Sequence, residues 1–106
     1  MIRANEAFRR WTNDSVRSLG YAASALRSRG DLAVGVSNAG RALIERSHAV
    51  LANHRHWVLN EKGIVDHAGL TPGAESLIAA TDATSMLEVV ERIRAEIESS
   101  AIQPLQ

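Results

Sequence analysis

Eleven of the twelve basic side chains in this 106-residue chain are arginine, and the one lysine, Lys62, stands between Glu61 and Gly63. It lies in the run His54-Arg55-His56-Trp57-Val58-Leu59-Asn60-Glu61-Lys62-Gly63, which also holds two of the four histidines and one of the two tryptophans. An indole face accepts a stacked ring, and an ammonium group holds phosphate or carboxylate. We therefore expect Trp57 and Lys62 to flank a small cleft for a small polar or nucleotide-like ligand, with Asn60 near a helix cap and Arg55 and Glu61 as secondary contacts. The competing assignment puts Trp57 in the core, lets Glu61 cap the next helix and leaves Lys62 in water.

A second group lies just upstream. Arg41, Glu45 and His48, at spacings of four and three, share one face of a helix, and Arg55 follows His48 by seven. A histidine beside a carboxylate can work as an acid or base near neutral pH. A solvated face with ion pairs worth ~0–1 kcal/mol is the alternative. His54 and His56, two apart, point in different directions on a helix and make a poor metal pair. The chain has no His-Glu-x-x-His pair, no phosphate loop after a strand and no serine in a nucleophile elbow, so no metal and no cofactor is expected.

The elements that must position these groups read as helices. Phe8, Trp11, Leu19 and Leu26 recur near helical spacing between Ala4 and Arg29, with Ser15 and Ala22 on the same stripe. Arg29-Gly30-Asp31 makes a turn and a new N-cap, an adhesion role having no support. A second helix is predicted from about Leu32 to Trp57, with Leu32, Val36, Ala39, Leu43, Val50 and Leu51 on one face. Its interior Gly35 and Gly40 each cost roughly 1 kcal/mol against alanine, which close approach of another helix would offset. A short helix near Ile64 to Ala68 and a segment opened by Thr71-Pro72 follow. Ser85-Met86-Leu87-Glu88 has capping-box spacing for a last helix to about Ser100, striped by Met86, Val90, Ile93 and Ile97. The prediction is an all-α antiparallel bundle of four to five helices, two of them long, in a single domain over 1–106 with an irregular tail from about 101.

Composition narrows the function. Zero formal net charge and a pI near 6.9 argue against general nucleic-acid binding. Without cysteine there is neither a disulfide nor a thiol nucleophile. With no signal-like N-terminus and no apolar run of ~20 residues, the expectation is a cytoplasmic protein with no membrane partner. Alanine supplies 17 of the 48 hydrophobic residues, so the core is thin, and a homo-oligomer or a second chain is expected to complete it.

The run from Leu51 through Val65, followed by Ala68-Gly69-Leu70, resembles the helical C-terminal, substrate-binding domain of kanamycin- and streptomycin-type small-molecule nucleotidyltransferases. The match covers residues 41 to 70. It implies that Trp57, Asn60, Glu61 and Lys62 line the substrate side of a cleft, while another domain carries a Gly-Ser and paired-aspartate motif for magnesium and nucleotide. This chain has no Gly-Ser and no Asp-x-Asp, and its aspartates at 14, 31, 66 and 82 are scattered. The resemblance therefore implies a non-catalytic accessory domain acting with a partner chain. Arg41 to His48 also resembles the Arg-x(4–6)-His motif of HEPN-like helical bundles, some of them dimeric RNases, although Ala42 replaces the polar residue that usually follows the arginine. That resemblance implies His48 as acid or base and Arg41 on the scissile phosphate. A plain helical protein-interaction module is the third reading.

Overall fold

Helix α1, Ala4–Arg29, buries the predicted stripe, with Phe8, Ser15, Leu19, Ala22 and Leu26 all inside and Trp11 half-buried. At ~1.5 Å per residue its 26 residues span ~39 Å, nearly the molecule's longest extent of 41 Å. The computed structural model describes residues 3–56 and 61–101, with side chains through Ser99. Among them are five helices and no strand: α1, α2 (Leu32–Asn53), α3 (Ile64–His67), α4 (Thr71–Ala79) and α5 (Ala83–Ala101). The fold is an all-α bundle with two long helices, as the apolar spacing predicts.

Two residues join the long helices. Gly30 adopts left-handed geometry (φ 60°) and donates its N–H to the Leu26 carbonyl at 3.0 Å, while Asp31 accepts from the Val34 N–H at 3.1 Å and so caps α2. The Arg-Gly-Asp tripeptide is thus this turn. So short a link folds α2 back along α1, α5 packs mainly on α1, and α3 and α4 bridge α2 to α5.

The apolar face of α2 is shorter than predicted. Ala39, Leu43 and Leu51 are buried, but Leu32 and Val36 are about 40 % exposed, because they line an open groove with Leu77 and Ile78 of α4 and Met86 of α5. Ile78 is exposed at the same groove, while Val34, also exposed, faces another side of α2. The two glycines also differ. A Cβ on Gly35 would lie 2.6 Å from Leu26 Cδ2, so the helices do approach there, whereas nothing lies within 4 Å of one on Gly40.

The end of α2 departs from the prediction as well. The helix stops at Asn53 rather than continuing to Trp57. Arg55 turns left-handed (φ 58°) and donates to the Ala52 carbonyl at 2.9 Å, and His56 donates to the Leu51 carbonyl at 2.8 Å. These two bonds close the last turn in the way a glycine usually allows, with an arginine in the glycine position. At α5, Asp82 accepts from the Ser85 N–H at 2.7 Å, so the cap lies three residues before the predicted Ser85. The predicted stripe Met86, Val90, Ile93 and Ile97 is buried.

Candidate functional site

The structure brings Arg41, His48 and Glu61 together. Helical spacing sets Arg41 and His48 two turns apart on α2, and the chain returning after α2 lays Glu61 across both. His48 Nε2 lies 2.8 Å from Glu61 Oε2, and Arg41 NH1 lies 3.5 Å from Glu61 Oε1. An ionised carboxylate only accepts, so the imidazole proton sits on Nε2 in this contact. His48 also stacks on Trp11 of α1, with ring centroids 4.2 Å apart and planes at 16°. One ring face and one ring nitrogen of His48 are therefore occupied within the fold, and its side chain is only 13 % exposed.

Glu45 does not serve His48, as its spacing suggested. It turns toward α1, where Ser18 donates to its Oε1 at 2.6 Å, and its Oε2 accepts from Arg41 Nε at 3.4 Å. The carboxylate beside the histidine is Glu61, thirteen residues on. A continuous network thus runs Ser18–Glu45–Arg41–Glu61–His48, with Trp11 as its wall. Neither Ser18 nor Trp11 was expected as a partner; the available signal was a hydroxyl at helical spacing from Trp11 and Ala22, on the apolar stripe of α1.

Arg55 is exposed at the α2 terminus, and Lys62 is exposed beside the anchored Glu61. Trp57 and Asn60 lie outside the described residues. His54 and His56 are exposed, and His56 meets His67 of α3, not His54, with ring centroids 4.7 Å apart. Among the described residues no three His, Asp or Glu side chains group to hold a metal ion, and no helix is long and apolar enough to cross a membrane.

All four aspartates have partners within the fold, Asp14 pairing with Arg17 at 3.9 Å on the surface of α1. Asp31 and Asp82 cap α2 and α5, and Asp66 accepts from the Thr71 hydroxyl at 2.9 Å. The N–H and hydroxyl of Ser85 hold the Asp82 carboxyl below its usual range. Compared with protein-family models, curated proteins and solved structures, the chain matches none of them.

Proposed function

We propose that this chain is a non-catalytic helical domain of the small-molecule nucleotidyltransferase type, lending the Asn60-Glu61-Lys62 element to a substrate cleft and acting with a partner chain that carries the catalytic motif. The observation that carries this reading is the double anchorage of Glu61 by His48 and Arg41. Both carboxylate oxygens face α2, which ties the segment down and leaves the neighbouring Lys62 exposed. A cation next to an anchored backbone loses less freedom when it meets an anionic or hydroxyl-bearing substrate. In-line transfer from a nucleotide needs converging carboxylates, and the aspartates of this chain are scattered, so on this reading the metal-binding pair belongs to the other chain. The open groove bordered by Leu32, Val36 and Ile78 offers apolar surface to such a partner.

The test mixes this chain with a nucleotidyltransferase chain bearing Gly-Ser and Asp-x-Asp, adds magnesium, ATP and a panel of aminoglycosides, and follows nucleotide transfer. Transfer is expected in the mixture only, and Lys62→Ala is expected to weaken substrate binding by roughly 1–3 kcal/mol with a nearly unchanged thermal melt. Transfer by this chain alone, or the absence of any complex, overturns the reading.

The sharing of Glu61 by Arg41 and His48 favours one second reading, an RNase of the HEPN type working as a dimer. Its signature is RNA cleavage leaving a 2′,3′-cyclic phosphate, abolished by His48→Ala and by Arg41→Ala.

A further inference from the structure

We propose that a second site, on a different side of α2 from Glu61, binds a small amphipathic monocarboxylate, an aromatic or branched aliphatic acid whose carboxylate meets Arg46. The cavity lies where α2, the α3–α4 turn and α5 meet and has a volume of about 310 Å³, the size of a small-ligand pocket. Its walls are Leu43 and Val50 of α2, Leu70 and Pro72 at the start of α4, and Ile93 and Ile97 of α5. The charged residues on the lining are Arg46 and Glu96, so the six apolar walls favour a ligand with an apolar body, and Arg46 favours one whose polar end is an acid.

Arg46 is held from behind. Its NH1 donates to Thr12 Oγ1 at 3.0 Å, and its guanidinium carbon lies 5.4 Å from the centre of the Phe8 ring. Thr12 and Phe8 are both buried, so the cation is positioned before any ligand arrives. Burial pulls its pKa down, the mark of a guanidinium deprived of water. It stays charged, and a carboxylate would restore the charge-assisted contact that water no longer makes.

One further residue defines what fits. Gly73 keeps the space open: a Cβ there would sit 3.5 Å from Leu43 Cδ2 and 4.0 Å from Ile93 Cδ1, so a longer side chain would grow between the two walls.

The test titrates the full chain with 4-phenylbutyrate and with its uncharged amide, reading affinity by calorimetry and location by amide chemical shifts. The acid is expected to bind about tenfold tighter than the amide, with shifts at Gly69, Gly73 and Ile93. Arg46→Met should erase the acid's advantage, and Gly73→Leu should abolish binding of both. Equal affinity for acid and amide in the unaltered chain overturns the proposal, as do shifts confined to other parts of the protein. That comparison decides even if Arg46→Met does not fold.

Discussion

The α1–α2 hairpin solves the same packing problem differently at its two ends. Near the turn, Leu26 fits against the bare backbone of Gly35, with Ala22, Ala23 and Ala39 buried around it. Toward the open end, the buried residues between the helices include Thr12, Ser15, Ser18, Glu45 and Ser47. Ser15 and Ser47 donate back to carbonyls of their own helices, at 2.7 Å each, and cost the interface little. Ser18 and Glu45 need each other across it. One end is fixed by shape, which tolerates no added volume. The other is fixed by hydrogen bonds, which tolerate no missing partner. The difference explains why the polar cluster around Arg41 and His48 forms at the open end: only there does α2 face polar groups on α1.

The largest expected effect is at the polar end. Glu45→Ala strands the buried Ser18 hydroxyl and removes an anchor of Arg41, and should cost about 2–3 kcal/mol in a urea unfolding titration. Glu45→Gln, which keeps an acceptor for Ser18, should recover much of that loss. A null result for both would mean that the open end is held by shape as well.

The two interior glycines of α2 test the steric end. Gly35→Ala should destabilise by about 1–2 kcal/mol, since overpacking against Leu26 outweighs the gain in helix propensity. Gly40→Ala, with open space around the new methyl, should stabilise by about 0.5–1 kcal/mol. Thermal melts of the pair should therefore move in opposite directions, and movement in the same direction would break the comparison.

At the terminus of α2, Arg55→Gly relieves a left-handed backbone at some cost in unfolded-chain entropy. A net gain of about 0.5 kcal/mol is expected by the same unfolding assay.

The smallest effect belongs to neither end. Asp82 has a lowered pKa in the folded chain because it accepts from Ser85, so its contribution is complete above the ordinary carboxylate range and is lost as pH falls through the lowered folded value. Asp82→Ala should flatten that part of the stability profile in acid melts and leave the profile near neutrality parallel to that of the parent chain.

Much of this architecture was legible in local spacing. Phe8 to Leu26 marked α1, Met86 to Ile97 marked α5, and Gly30-Asp31 marked the turn, because helix periodicity, left-handed glycine and an Asx cap are properties of a few neighbouring residues. The end of α2 was not legible. Nothing in the sequence around Arg55 announces a left-handed residue, and the continuing run toward Trp57 reads as helix. The N-cap of α5 was misplaced for a related reason: Asp82 and Ser85 are both good caps, and local rules do not rank them.

The sequence by itself determined that this chain is helical, where its turn lies, and that Arg41, Glu45 and His48 share a face. Only the tertiary structure decided which carboxylate each would meet. Glu45 went to Ser18 and Glu61 to His48, because the packing of α1 against α2 and the return of the chain after α2 set those distances. The same holds for Arg46, one more arginine among eleven in the sequence. It is singled out by Thr12 and Phe8 behind it and by the apolar cavity it lines. Periodicity says which way a side chain faces along its own helix, but a partner dozens of residues away is chosen by helix packing, which single-helix spacing does not encode.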